Sequence, residues 1–271
     1  MKLQGNRSHL QLAAIDLDGT LLGPDSTISA ENRAAVARLA EAGLEVVLAS
    51  GRHYQSVVTY ARQLPEVKWV VSSQGAEVST TDRSQILGCN FLRESDVSLV
   101  MEAEAARGFT AVYYAADDVF TATRPNEDLA QYTVLSARTP VLADRSEILK
   151  MPLQKILWLG EPVRINALRF DESLAAFGLQ GIQTWETIFE LMPLETTKAL
   201  ALQTLTTHLG IKPENVVAFG DGENDISMFE WAGLSFAMPH GWKGALAKAT
   251  HIAPDGPPHT ALSKAVDILL E

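Results

Sequence analysis

In Asp16-Leu17-Asp18-Gly19-Thr20 two carboxylates stand two residues apart, a spacing that turns both to the same side of an extended chain. A carboxylate so placed can attack phosphorus and form an acyl phosphate. A second one that keeps its proton, through burial or a charged neighbour, can protonate the leaving oxygen and then activate water. Asp16 and Asp18 are therefore candidates for a nucleophile paired with a general acid and base, against the plainer reading of an Asp-Gly turn after a strand. A second acidic segment, Gly220-Asp221-Gly222-Glu223-Asn224-Asp225, supplies acids where a cation is needed. Magnesium prefers oxygen ligands and often takes only one or two carboxylates besides water and substrate phosphate, which Asp16 and Asp221 can provide together. Asn224 or Asp225 can instead cap the following helix, or do both.

Two further groups suit an anion. Leu48-Ala49-Ser50-Gly51-Arg52 offers a hydroxyl, a glycine whose backbone can approach a phosphate, and amides at a helix start. Taken alone, Ser-Gly is an ordinary turn and Arg52 an ordinary surface partner for an acid. Lys198, after Pro193 to Thr197, is a cation that can hold phosphate oxygens and balance the carboxylates.

The elements around these groups place them together. Leu12 to Ile15 is an apolar run ending at Asp16, and Leu44 to Ala49 is another ending at Ser50, with a helix between them that Ser29 caps and Gly43 stops. A helix near Tyr54 to Leu64 and the run Trp69 to Val71 continue the pattern. It resumes with a helix from Thr197 to Leu209, a strand Val216 to Phe219 ending at Gly220-Asp221, short strands at Leu234 to Ala237 and His251 to Ala253, and a closing helix at about 260 to 270. Alternating segments such as Thr110 to Tyr114 and Ile156 to Leu159, mixed with a helix at Ser95 to Ala106, lie between. The expectation is an α/β fold: a parallel-sheet core, residues 1–81 and 193–271, with helices on both faces and an inserted α+β domain, residues 82–192. Insertion at the active end of the sheet suits a lid that closes over substrate.

The bulk numbers narrow the partners. With 22 Lys plus Arg against 33 Asp plus Glu the net charge is −11, and no stretch gathers basic residues, which argues against nucleic acid. Met1 to Arg7 has no apolar core of signal-peptide length, and nowhere do about 18 apolar residues run together, so neither export nor a membrane is expected. Cys89 is the single cysteine, which excludes an internal disulfide and fits the cytoplasm.

Asp16 to Thr20, Ser50, Lys198 and Gly220 to Asp225, in this order and spacing, resemble the four motifs of the haloacid dehalogenase superfamily. The long insert between Ser50 and Lys198 is similar to that of the Cof-type phosphatases with a type IIB cap, on a Rossmann-like core. The resemblance implies that Asp16 is nucleophile and magnesium ligand, and that Asp18 is acid and base and lends magnesium its backbone carbonyl. It makes Asp221 the other protein ligand, and gives Ser50, Gly51, Lys198, Asn224 and the backbone of Leu17 to the phosphate. Asp225 would support the metal or Lys198 from behind. An acid at position 18, where the transport ATPases of the superfamily carry threonine, favours phosphatase or mutase chemistry.

Three departures from the Cof-type pattern are visible: Gln74-Gly75-Ala76 in place of Asn-Gly-Ala, Met238-Pro239-His240-Gly241 in place of Met-Gly-Asn-Ala, and Ala199 in place of glycine. None removes a catalytic group. His240 and Trp242 either border the site or serve as surface and packing residues. In the insert Tyr113, Tyr114, Arg124, Arg138 and Trp185 are the side chains suited to recognise a polar group, with core packing the favoured role of the aromatics. The expected activity is magnesium-dependent hydrolysis of a small phosphorylated metabolite, such as a sugar phosphate, through an aspartyl phosphate. The rivals are a sugar phosphomutase such as phosphomannomutase and a non-catalytic anion-binding module.

Overall fold

The computed structural model describes residues 9–271, so the leaderless reading of Met1 to Arg7 lies outside the described residues. Down the chain come β1 (Leu12–Ile15), α1 (Ala30–Glu41), β2 (Glu45–Ala49), α2 (Tyr54–Ala61), β3 (Val67–Ser72), β4 (Glu77–Thr80) and β5 (Ile86–Cys89). There follow α3 (Glu94–Arg107), β6 (Thr110–Ala115), β7 (Val119–Thr121), α4 (Glu127–Ser136), β8 (Val141–Leu142), α5 (Arg145–Ile148), β9 (Leu153–Leu159), α6 (Pro162–Leu168), β10 (Leu179–Trp185) and β11 (Ile188–Pro193). The last stretch holds α7 (Lys198–Leu209), β12 (Val216–Gly220), α8 (Ile226–Trp231), β13 (Leu234–Ala237), α9 (Lys243–Lys248), β14 (His251–Ile252) and α10 (Ala261–Leu270). These elements form two compact units, one running through Gly88 and resuming at Thr197–Glu271, the other Cys89–Thr196.

The first unit is built on an eight-stranded sheet in the order β14-β13-β12-β1-β2-β3-β4-β5. From β14 to β3 every neighbour is parallel, and β4 turns back antiparallel on β3. Side chains alternate across a strand, so the all-apolar β1 serves two cores at once. Ala13 and Ile15 pack on one face with Val36 and Leu39 of α1, Val57 of α2 and Leu262 of α10. Leu12 and Ala14 pack on the other with Leu202 and Leu205 of α7, Met228 of α8 and Ala245 of α9. Helices thus cover both faces of a mostly parallel sheet, as the alternation of apolar runs and amphipathic helices predicts. Local chemistry sets the boundaries: Ser29 accepts a bond from the Asn32 N–H to start α1, and Gly43 at φ +90° lets the chain turn after it.

The second unit carries a six-stranded sheet, β10-β11-β9-β6-β7-β8, antiparallel throughout except for the β7–β8 pair. Trp158, Ile156 and Tyr113 on one face meet Val97 and Val100 of α3 and Ile165 of α6. On the other face Val112, Leu157 and Ile188 meet Leu129 and Tyr132 of α4. Among the described residues no helix is long and apolar enough to cross a membrane.

Phe219 of β12, fully buried, stacks on Phe236 of β13 with ring centroids 5.5 Å apart. Phe219→Ala is expected to cost about 3–5 kcal/mol through lost transfer energy and a cavity. A loss of unfolding free energy, measured by denaturant titration, of less than a quarter of that would show that this pair does not anchor the core.

Candidate active site

Three loops leave the carboxyl edge of the parallel strands β1, β2 and β12 side by side. The first begins at Asp16, whose N–H still bonds the Phe219 carbonyl at 3.0 Å and so extends the ladder by one residue. The chain then reverses tightly: Leu22 N–H bonds Leu17 O at 2.8 Å, Leu21 N–H bonds Asp16 O at 3.2 Å, and Gly19 takes φ +76°. Gly19 is required for space as well, because a Cβ there would stand 2.2 Å from an Asp221 carboxylate oxygen. The missing side chain is what allows the acidic loops after β1 and β12 to touch.

Lys198 opens α7, where Thr197 caps the helix by accepting the Leu200 N–H at 3.2 Å. Its ammonium group is wholly buried and donates to Asp16 Oδ1 at 2.5 Å and to Asp225 Oδ1 at 2.6 Å. Asp225 Oδ2 in turn accepts the N–H groups of Asp221 at 2.8 Å and Gly222 at 2.9 Å, so both of its oxygens are engaged, and the Gly222 bond caps the short 3-10 turn Glu223–Asp225 that leads into α8. Asp16, Asp221 and Asp225 each bring a carboxylate oxygen within 4.8 Å of the others. With Asp225 satisfied from two sides, Asp16 and Asp221 are the pair with oxygens left to offer a cation.

Charge in this cluster is out of balance. Burial, followed by the charges of Asp225 and the other acids, lifts Asp16 well above the usual carboxylate range even though Lys198 pulls the other way. Burial, again ahead of Asp225, pushes Asp221 up to about 8. Burial opposes the charge on Lys198, but Asp16 and Asp225 outweigh it and hold the ammonium group above its ordinary value. One buried monocation thus faces three buried or half-buried carboxylates. A hard divalent cation with oxygen preference fits both that deficit and the donor set.

Asp18 lies outside this cluster of three. Arg52 grips it through two bonds, Nε to Oδ2 at 2.8 Å and Nη2 to Oδ1 at 2.7 Å, with the guanidinium also lying over the Tyr60 ring at 5.5 Å. Arg52 is 7% exposed, so it is not the surface partner its sequence position suggests but a fixed fork holding the second acid. Ser50 is buried at the end of β2 with its N–H on Val71 O and its Oγ accepting the Arg52 N–H at 3.1 Å. Gly51 packs against Gln74, and Asn224 Nδ2 donates to Gln74 Oε1 at 3.0 Å. Leu17 is fully buried between the two acids of its loop.

The residues picked from sequence are therefore gathered on one sheet edge, with Asp18 turned to Arg52 and the rest grouped about Lys198 and Gln74. Arg52 and Gln74 are the side chains to which the sequence assigned no site role: Arg52 read as a surface partner for an acid, and Gln74 as a departure from the Cof-type pattern. His240 Nε2 donates to Gly19 O at 2.7 Å and so borders the first loop. The Trp242 ring lies over Gly244 in a packing role, while the Trp242 backbone N–H bonds Asp221 O at 2.8 Å. In the second unit Tyr113 donates to Glu104, Tyr114 accepts from Tyr132 at 3.0 Å and Arg138 pairs with Asp118 at 2.6 Å, while Arg124 and Trp185 are exposed.

An acid-rich centre at the carboxyl edge of a parallel sheet, neutralised in part by one buried lysine, defines an α/β enzyme of the hydrolase type. Residues 13–260 match the model of the haloacid dehalogenase-like hydrolase family, and the chain belongs to that family. It is 28% identical to the 5-amino-6-(5-phospho-D-ribitylamino)uracil phosphatase YitU of Bacillus subtilis, over 85% of this chain and 87% of that one. It is also 28% identical to the HMP-PP phosphatase of Serratia proteamaculans, over 84% of this chain and 83% of that one. The crystal structure of a haloacid dehalogenase-like hydrolase from Bacteroides thetaiotaomicron superposes with a TM-score of 0.85 at 25% identity, covering 95% of this chain and 98% of that one.

The raised Asp221 carries a pH signature. Between its ordinary value of 3.8 and about 8 the folded chain holds more protons than the unfolded one, so this group lowers stability as pH rises through that window. A divalent cation that neutralises the cluster should therefore raise the melting temperature of chelator-treated protein more at pH 8 than at pH 5. An equal gain at both values would contradict the charge imbalance.

Proposed function

We propose that the chain is a magnesium-dependent phosphatase that hydrolyses small phosphate monoesters through an aspartyl phosphate on Asp16. The observation that carries this reading is the division of partners between two acids two residues apart: Asp16 on buried Lys198, Asp18 on Arg52. Two carboxylates in such different surroundings can take different parts in one reaction. Lys198 occupies Asp16 Oδ1, leaving Oδ2 to attack phosphorus as the ester P–O bond breaks. Asp18 must first turn one oxygen out of the Arg52 fork and take up a proton as substrate binds, and it then gives that proton to the departing alkoxide oxygen. It then takes a proton from water as that water attacks the phosphoryl group, which breaks the Asp16–phosphorus bond and releases inorganic phosphate.

Ser50, Gly51, Lys198, Asn224 and the Leu17 backbone hold the phosphate oxygens in this scheme, and Asp225 positions Lys198 through its Oδ1. Magnesium, held by the Asp16 and Asp221 carboxylates and the Asp18 carbonyl, would stabilise charge on the phosphoryl oxygens. The α+β unit serves as the cap, and we place the enzyme in the cytoplasm. Relatives named for a phosphoribitylamino-uracil and for HMP-PP support a small phosphorylated metabolite as substrate.

Purified protein with magnesium is expected to release phosphate from members of a monoester panel. Asp16→Asn should abolish that release by at least about a thousandfold while the protein stays folded. Asp18→Asn should slow turnover by about 10²–10⁴-fold. An active Asp16→Asn variant would rule out the covalent route, and isomerised sugar phosphate in place of free phosphate would assign a mutase.

A further inference from the structure

After β3 the chain makes a turn in which three consecutive residues occupy the left-handed region, Ser73 at φ 51°, Gln74 at φ 63° and Gly75 at φ 101°. Glycine visits that region freely and asparagine with little strain, but glutamine does not, so the surroundings must hold Gln74 there. They do so on two sides. The Ser73 N–H bonds Arg52 O at 2.8 Å and the Gln74 N–H bonds Ser50 O at 3.1 Å, binding the turn to the loop after β2. Gly75 lies so close to the Thr197 carbonyl that a Cβ would stand 2.3 Å from its oxygen, which wedges the turn against the start of the Lys198 helix.

This clamp fixes one side chain, the Gln74 carboxamide, which is 3% exposed. Its Oε1 accepts the Asn224 Nδ2–H at 3.0 Å, and its Nε2 would be 2.4 Å from a Cβ at Gly51. The amide is thereby set between Asn224 and Gly51. Nε2 carries two N–H donors and has no hydrogen-bond partner among the described residues. Strain retained beside a reactive centre marks a place where a ligand completes the bonding.

We propose that Gln74 is a further phosphate-contacting residue, its Nε2 donating to an oxygen of the substrate's phosphoryl group while its Oε1 orients the Asn224 amide. This rests on the phosphatase reading above and extends it to a side chain that the four motifs do not include. Glutamine reaches one methylene further than asparagine, so the longer arm offers one carboxamide to Asn224 and to the anion together.

The test measures binding of inorganic phosphate, in the presence of magnesium, to full-length wild type, Gln74→Gly and Gln74→Glu by calorimetry, with KM and kcat for a monoester that wild type hydrolyses. Gln74→Gly relaxes the φ of 63°, so its melting temperature should hold or rise, while phosphate affinity falls about tenfold or more and KM rises more than kcat falls. Gln74→Glu keeps the shape but aims a carboxylate at the anion and should bind phosphate more weakly still. Repeating Gln74→Gly in an Asn224→Ala background separates a direct contact, which still weakens binding, from an action through Asn224 alone, which does not. Phosphate affinity in Gln74→Gly and Gln74→Glu equal to that of an active wild type would overturn the role of Gln74 and leave the phosphatase reading standing. Wild type that neither binds phosphate nor cleaves any monoester would overturn both.

Discussion

The contact on which this centre depends is that of one ammonium group with two carboxylates, sealed from water. Lys198 is fully buried, a position a lysine tolerates only when its charge is matched at close range. Asp16 and Asp225 supply the match at 2.5 and 2.6 Å. Removing the lysine would leave negative charges in a space without solvent, and removing either acid would strand the cation. The three groups therefore enforce one another, and the loops that carry them are held as strictly as the sheet beneath.

That constraint explains several small residues nearby. Gly19, Gly220 and Gly222 each stand where a Cβ would collide with a carboxylate or amide of this cluster. Glycine is used here for close approach more than for flexibility. The Arg52 fork solves a different problem. Asp18 is only two residues from Asp16 and would be drawn to the same lysine, but a bidentate partner lying over Tyr60 keeps it apart. Two acids of one short motif thus acquire separate electrostatic settings, which the proposed division into nucleophile and proton carrier requires.

The sheet edge was legible from sequence because each key strand is an apolar run that stops at a polar, glycine-bearing turn: Ile15 before Asp16, Ala49 before Ser50, Gly220 before Asp221. Periodicity could not report contacts made across the chain. The Arg52–Asp18 pair joins residues 34 apart and the Asn224–Gln74 bond residues 150 apart. A turn at Gln74-Gly75 is readable from the glycine, but the left-handed backbone of Ser73 and Gln74 is not, since tertiary bonds from the Ser50–Arg52 loop impose it. Asp225 illustrates the same limit in another way. Its place after a strand suggests a helix cap, and it does accept the Gly222 N–H at the turn into α8, but its bond to Lys198 comes from 27 residues away. Among the aromatics of the insert, Tyr113 and Tyr114 went to the core, as composition favours, while Trp185 remained exposed.

The central strand β1 is flanked on one side by β2, which follows it closely, and on the other by β12, which is made only after the whole second unit has been synthesised. Asp16 and Lys198 are 182 residues apart. A growing polypeptide therefore presents the half-sheet of β1 to β3 with an unpaired edge until β12 has emerged from the ribosome. During that interval the carboxylates of the first loop stay hydrated and chemically idle. Splitting the core around an insert makes the reactive centre wait for Lys198 and β12, and leaves the waiting edge of β1 as the place where misassembly or chaperone capture would begin.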